Sequence, residues 1–318
     1  MRKGFIIKII SNQYTLIDQE TKEEKIAQAR GKLRHMRVAE DSSFNKQLTK
    51  STKKESKIVT ISPKVGDSVI YEDKDEHTWI LDIEPRKNDL IRPDISNVDQ
   101  VLLVFSAIRP DFSYHLLDKF LIIMNQEKLT PVIIISKIDL VEPDYLISLK
   151  KGLTYYKELG YDVYYVNSKE RIGIDVLTHI FKDKITVLAG QTGVGKSTLL
   201  NALMPELNLK TQEISDALGR GKHTTRHTAL YPFEGGYIAD TPGFSKIEFK
   251  IYHVDEVKSY YNDFEALSHL CKFGNKCLHL SEPGCEIKER VNTQQIPNER
   301  YQNYVQFCEE VKNQKEKY

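Results

Sequence analysis

The sequence predicts a multidomain chain: a small N-terminal β-barrel over residues 1–72, an α/β domain on a mainly parallel sheet over 73–250, and a mainly helical, metal-holding segment over 251–318. Three observations predict it. Short alternating apolar segments parted by polar turns fill the first seventy residues. Longer apolar runs then alternate with stretches of helical spacing from 98 to 246, and all four cysteines fall in the last fifth. A length of 318 residues suits this division, because about 150 residues per domain leaves room for two domains, or three when some are small.

The barrel strands are GFIIKII, QYTLIDQ, EKIAQARGKLR, and then KIVTI and SVIYE on either side of the turn ISPKVGD. Several short strands at regular spacing argue for a small barrel. Residues 45–57 (NKQLTKSTKKESK) have no apolar period and read as a Lys-rich loop. The net charge of +1 hides an asymmetry. Residues 1–64 hold 15 Lys and Arg against 7 Asp and Glu, a balance of +8, and the remaining 31 against 38 give −7. A basic barrel with a Lys-rich loop grips a nucleic acid backbone. A merely solvated lysine face is the other reading of the same residues.

A segment beginning WILDIEPRKNDLIRPDISN bridges to the α/β part. There VDQVLLVFSA, PVIIISK, DVYYVNS, KITVLAG and GYIAD read as buried strands. LLDKFLIIMNQEKL, DYLISLKKGLTYYKELG, GIDVLTHIF and STLLNALM read as the intervening helices. Alternation of this kind makes a mainly parallel sheet, in which ligands sit at the carboxyl ends of the strands. No apolar run approaches the 18 residues of a membrane span. The start, MRKGFIIKII, is interrupted by Lys8 and has no small-residue cleavage site, so the expected protein is cytoplasmic and has no membrane partner. The composition, 40% hydrophobic and 29% charged, excludes a disordered or fibrous chain.

Strand KITVLA runs into Gly190, Gln191, Thr192, Gly193, Val194, Gly195, Lys196 and Ser197, and then into the helical STLLNAL beginning Ser197–Thr198. This is the strand, glycine loop and helix of a phosphate-binding P-loop. Glycines let backbone N–H groups turn onto the phosphates, and the helix end adds its dipole. Lys196 reaches the β and γ phosphates and Ser197 ligates Mg²⁺. Downstream, strand GYIA ends in DTPG, where Asp240 holds Mg²⁺ through water and Gly243 offers a backbone N–H to the γ phosphate. Between them GRGKHTTRHTAL (219–230) reads as a lid that lends a Thr hydroxyl, Thr224, to the metal, or as an ordinary surface loop.

Strand VIII leads to Ser136, Lys137, Ile138 and Asp139. An Asp at a strand end accepts hydrogen bonds from N1–H and the exocyclic amine of guanine, while the Lys stem lies along the base, which selects GTP over ATP. The usual first residue of such a motif is Asn, and here it is Ser136. A second strand end, Asn167–Ser168, covers the base or simply ends a strand. Both segments precede the P-loop, the reverse of conventional GTPases, so the order is a circular permutation.

The cysteine cluster is Cys271-x(5)-Cys277-x-His279-x(5)-Cys285, three thiolates and an imidazole fit to hold structural Zn²⁺. Free buried cysteines beside a surface His are the alternative. Cys308 stands apart on a helical stretch as a packing residue. So polar a segment needs its metal to fold.

Taken together, PKVGD, RKNDLIRP, NVDQVLLVFSA, SKID, GQTGVGKSTLLN, GRGKHTTRHTAL, DTPGF and CLHLSEPGC resemble, along essentially the whole chain, the RsgA family of circularly permuted small-ribosomal-subunit biogenesis GTPases. The resemblance implies an N-terminal OB-fold barrel, a P-loop GTPase domain with circularly permuted motif order and a C-terminal zinc domain. It implies engagement of 16S rRNA on the 30S subunit late in assembly, by a monomer that departs on GTP hydrolysis together with assembly factors. The first cysteine interval is one residue longer than the family's four. Many GTPases place a water-orienting Gln after DxxG, and this chain has Phe244. The resemblance therefore points to His223, beside Thr224, as the catalytic group that acts with Lys196 once the subunit orders the loop. His227 is the weaker candidate. Two other function classes share parts of the signature: a metabolic P-loop ATPase or kinase, and a noncatalytic rRNA-binding protein that uses GTP as a folding ligand.

Overall fold

A computed structural model of the protein describes residues 1–29, 62–91, 93–207, 228–244 and 251–314; of Leu207 and 240–244 it describes the backbone alone. The Lys-rich loop and KIVTI lie outside these residues. The chain forms two compact units: Met1–Leu102, Ser168–Thr192 and Lys196–Ser245 make the first, and Leu103–Asn167, Gly193–Gly195 and Lys246–Tyr318 the second.

The first unit opens with the barrel. Strands β1 (Arg2–Ile10), β2 (Gln13–Asp18), β3 (Glu24–Ala29), β4 (Ser68–Lys74) and β5 (His77–Ile83) follow the order β1-β2-β3-β5-β4, and a β1–β4 pairing closes the ring. All these pairings are antiparallel except β3–β5. Alternation puts Ile6, Tyr14, Leu16, Val69, Tyr71 and Ile80 inside and polar residues outside. The fifth strand is the start of the segment read as a bridge, so the barrel continues past residue 72 to Ile83. A seven-residue run that pairs with β3 on one side and β4 on the other is a strand wherever a sequence boundary is drawn.

The short pair β6 (Asp89–Leu90) and β7 (Ile95–Ser96) follows, tied to the barrel through two of the recognised motifs. Gly66 of PKVGD adopts φ +90°, and a Cβ there would strike the Ser96 carbonyl, which explains the glycine. Fully buried Asp67 of the same motif accepts Arg86 Nε and Nη2, each at 2.8 Å, and Ser96 Oγ at 2.6 Å, while Arg86 Nη1 reaches Asp89 at 2.8 Å. A forked, fully hydrogen-bonded pair of this kind fixes orientation as well as contributing energy.

The rest of the first unit is a sheet of the beginning of β8 (Gln100–Ser106), then β11 (Ile185–Ala189), β13 (Gly236–Phe244) and β12 (Ala229–Phe233), the last joined to β1 by Lys8 opposite Ala229. Strands β11 and β13 are parallel, and β12–β13 is a hairpin. GIDVLTHIF, expected as an α-helix, is a 3₁₀ segment over Asp175–Phe181.

In the second unit the end of β8 lies beside β9 (Thr130–Ser136), which pairs in parallel with β10 (Asp162–Tyr165). Helix α1 (Tyr114–Gln126) is N-capped by Ser113 Oγ, and α2 (Pro143–Glu158) starts on Pro143. In the first unit the glycine loop feeds α3 (Lys196–Leu203). The C-terminal part of the second unit carries α4 (Val254–Ser259), α5 (Asn262–Leu267), α6 (Glu286–Asn292) and α7 (Asn298–Lys312). The first three have six or seven residues and α7 has fifteen, and the cysteine turns lie between α5 and α6. Ile122 of α1 shares a core with Val257, Phe264, Ile287, Tyr304 and Phe307. The cysteine-bearing segment thus has more apolar support than its composition indicates, because part of its core comes from 130 residues earlier in the chain. Among the described residues no helix is long and apolar enough to cross a membrane.

Candidate nucleotide site and metal centre

Strand β11 delivers the chain to Gly190, and the loop turns through Gly193 at φ +83° and Gly195 at φ +97°, where a side chain would be strained. Gln191, Thr192 and Gly193 are exposed and Val194 is buried. Lys196 Nζ donates to the carbonyls of Gly190 (2.8 Å) and Gln191 (2.6 Å), and burial lowers its pKa. Ser197 and Thr198 occupy the first turn of α3, half-buried. The helix end and loop amides make an anion cradle, and a lysine within reach of it matches phosphate chemistry.

Strand β9 ends at Ser136, which is buried, with Oγ 3.1 Å from the Phe105 carbonyl and 2.5 Å from that of Val194. The guanine motif is thus fastened by its first residue to the middle of the phosphate loop, 58 positions later in sequence. Lys137 takes a left-handed φ of +56° and its Nζ donates to the carbonyl of Arg109, itself at φ +54°. Left-handed non-glycine residues cost about 1–2 kcal/mol each and persist where the surroundings demand them. Ile138 is half-buried, and Asp139 is exposed on the short 3₁₀ turn that follows. Asn167 is buried beyond β10, where the Val166 N–H donates to the Ile135 carbonyl, and Ser168 Oγ is buried as well.

Asp240 and Gly243 lie within β13 rather than after it. Asp240 pairs with Ala229 of β12 and Phe244 with Ala189 of β11, and the register shifts between Ala239, opposite Val187, and Phe244, so the strand bulges at DTPG. His223, Thr224 and His227 lie outside the described residues.

The metal cluster is assembled as its spacing requires. Cys271, Cys277, His279 and Cys285 are all buried, and their ligand atoms lie within 4.8 Å of one another. His279 Nδ1 is 3.7 Å from Cys271 Sγ and 3.4 Å from Cys285 Sγ. Its other nitrogen, Nε2, is 3.0 Å from Ser268 Oγ, which donates to the Phe264 carbonyl at 2.8 Å. Since the serine has one proton and spends it on Phe264, Nε2 carries the imidazole proton and Nδ1 presents its lone pair to the thiols. Burial holds the His279 pKa down at about 4, so the ring is neutral at pH 7. Burial also pushes the Cys285 thiol up to about 12, so its thiolate form requires a cation beside it. Three sulfurs and a pre-oriented imidazole fit tetrahedral Zn²⁺. The longer first interval is taken up by a 3₁₀ turn over Gly274–Lys276, and Cys308 sits apart in the apolar core. Ser268 escaped the sequence reading. A lone serine eleven positions from the histidine has no periodic or motif signal.

Comparison with known proteins matches this arrangement. A sequence model of the RsgA GTPase family matches residues 83–250, beginning where the barrel ends. The small ribosomal subunit biogenesis GTPase RsgA of Onion yellows phytoplasma (strain OY-M) is 48% identical over 317 residues, covering 99% of each chain. The protein of that name from Bacillus subtilis (strain 168) is 42% identical over 321 residues and the full length of both. Among solved structures, YloQ, a circularly permuted GTPase, superposes with TM-score 0.77 at 37% identity, covering 100% of this chain and 97% of the other. YjeQ from Thermotoga maritima superposes with TM-score 0.78 at 32% identity, covering 99% of each. With a barrel, a permuted order of nucleotide motifs, a Cys₃His cluster and relatives alike from end to end, this chain belongs to the RsgA family of GTP hydrolases.

Proposed function

We propose that the chain binds GTP with Mg²⁺ and acts in late maturation of the 30S ribosomal subunit, holding 16S rRNA through its basic barrel and leaving, with assembly factors, when the subunit stimulates hydrolysis. The relatives' shared name, small ribosomal subunit biogenesis GTPase, supports the subunit as partner. The observation that carries the nucleotide reading is the Ser136 hydroxyl on the Val194 carbonyl. It joins a base-reading motif to a phosphate loop in a chain whose order separates them.

In this reading Lys137 and Asp139 take the guanine, with Ser136 and Ile138 shaping the turn and Asn167 and Ser168 bordering the base. Gly190 to Thr198 take the phosphates. Ser197, Asp240 and Thr224 hold Mg²⁺, which neutralises charge that develops on the phosphoryl oxygens. Lys196 gives up the Gly190 and Gln191 carbonyls for the triphosphate, an exchange that its partial burial favours because a desolvated ammonium gains more from an anion than from neutral carbonyls. His223 orients the attacking water, a task Phe244 cannot perform. Zn²⁺ on Cys271, Cys277, His279 and Cys285 holds the C-terminal lobe. Barrel, GTPase domain and zinc lobe, divided near residues 83 and 250, serve as RNA grip, switch and brace of a cytoplasmic monomer.

The test is multiple-turnover GTP hydrolysis with and without purified 30S subunits. Turnover should be slow alone and rise about a hundredfold or more with subunits, the low end of the roughly 10²–10⁴-fold that a positioned acid–base group contributes. His223→Ala should lose the stimulated part. Equal turnover with and without subunits argues against the reading.

A further inference from the structure

Within its first two turns, helix α7 grips two different parts of the second unit. Tyr301 Oη donates to the His279 carbonyl at 2.8 Å and Tyr304 Oη to that of Leu278 at 2.7 Å, so two hydroxyls hold the backbone of the loop that bears the imidazole ligand. From adjacent positions Arg300 and Asn303 reach another way. Arg300 Nη1 donates to Asp118 Oδ1 at 2.5 Å and Asn303 Nδ2 to Asp118 Oδ2 at 2.7 Å, while Arg300 Nε and Nη2 fork onto Asp263, each at 2.7 Å. Hydroxyls of Tyr156 and Tyr155 complete the two carboxylates at 2.9 and 2.8 Å. Arg300 is 3% exposed and its guanidinium lies 4.6 Å from the Tyr261 ring centre.

Asp118 belongs to α1 and Tyr156 to α2, the two helices that flank the guanine motif. The loop before α1 carries Arg109, whose carbonyl accepts Lys137 Nζ, and Pro110, whose carbonyl accepts Ser106 Oγ at 2.6 Å. Helix α2 begins three residues beyond Leu140 and sends Tyr145 Oη to the Ala107 carbonyl at 3.4 Å. A continuous series of hydrogen bonds and helices therefore runs from the His279 backbone to the Lys137 ammonium.

We propose that α7 is a strut through which occupancy of the Cys₃His cluster and binding of guanine nucleotide strengthen each other, with Arg300 as its positioning residue. The proposal rests on the reading of Lys137–Asp139 as the base site and of the cluster as a zinc site. A buried guanidinium divided between two carboxylates has one good arrangement, because sliding α7 against α1 or α5 leaves a buried charge unpaired. Displacement of the metal loop is then handed on to α1 and α2 instead of being absorbed at a soft contact. Coupling of this kind is reciprocal: whatever factor zinc lends to nucleotide affinity, nucleotide lends to zinc affinity.

The experiment uses the full chain, zinc-loaded and chelator-stripped, with metal content assayed and GDP as the probe. Calorimetry gives GDP affinity in both forms, and equilibrium competition with a chromogenic chelator gives zinc affinity with and without saturating GDP. Zinc should tighten GDP binding about fivefold or more, and GDP should tighten zinc binding by the same factor. Tyr301→Phe/Tyr304→Phe keeps both rings in the core and removes only the hydroxyls on the metal loop. It should bind both ligands with the mutual factor reduced below about twofold, and Arg300→Lys, which keeps the charge and loses the fork, should reduce it too. Should stripped protein not remain folded, the chelator competition on loaded protein decides alone. GDP-independent zinc affinity in the wild type, or a factor undiminished in the variants, overturns the proposal. Failure of the wild type to bind GDP or zinc at all overturns the site reading beneath it, and shows in the first titration.

Discussion

Ser136 departs from the asparagine usual at its position, and its structural part is visible in what it touches. A short buried hydroxyl reaches the Val194 carbonyl, so the phosphate loop is anchored from the base-reading strand without the longer amide. The residue also shows how little one position says alone, since neither partner carbonyl leaves a trace in the sequence. Asp18 in the barrel is a second case. Buried at the end of β2, it is held down at about 2 chiefly by the Tyr71 hydroxyl and next by the Thr21 N–H, a burial cost opposing both. A carboxylate held below its unfolded value of about 3.9 stabilises the fold above that pH and loses the contribution as pH falls toward 2. Tyr71→Phe should therefore lower the thermal midpoint at pH 7 and flatten its decline between pH 4 and 2. Parallel midpoint curves for variant and wild type would show the hydroxyl to be idle.

Among elements, the cysteine segment departs most from its sequence impression. Helices α4 to α6 are short and polar and the longer α7 is polar too, yet they enclose a core that includes Ile122 of α1 and a buried Arg300 network. In the proposed reading, metal and core share the work of holding them. Cys285→Ser removes a ligand and changes one atom of that core, leaving its aliphatic and aromatic members in place, so it should abolish stoichiometric zinc and lower the midpoint by several degrees, without unfolding the chain at 25 °C. Metal analysis beside a melting curve checks this, and full zinc retention would move the site elsewhere. Strand β13 shows the reverse relation between motif and element. DTPG reads as the loop after a strand, yet β13 spans it, with Asp240 paired to Ala229, Phe244 to Ala189 and a shift of register between them.

At the scale of the molecule, charge is the first consideration. The +8 of residues 1–64 is set against −7 in the rest, and nine of the fifteen N-terminal cations fall between residues 30 and 61, outside the described strands. An rRNA grip made there should show steep salt dependence. Eight phosphates neutralised would give a slope of log affinity against log salt of roughly −5 to −7 for the full chain. Replacing the lysines of 45–57 by glutamine should flatten it, and a salt-independent affinity would remove the barrel from the interface.

The barrel, the alternating sheet, the P-loop and the Cys₃His cluster were legible because each rests on local spacing: a period of two, a glycine loop between strand and helix, four ligands in fifteen residues. Even the permuted motif order is a linear fact that can be read along the chain. The fifth barrel strand, the passage of β13 through DTPG, the Ser136 bond to Val194, the Ser268 hold on His279 and the Arg300 network were not legible. Each joins groups from eleven to nearly two hundred positions apart, through contacts that leave no motif of their own in the sequence. The sequence by itself determined which chemistry this protein carries. The tertiary structure alone decided which residues hold that chemistry in place, because a polar group is pinned by whichever partner the fold brings within 3 Å, and burial makes leaving that partner costly.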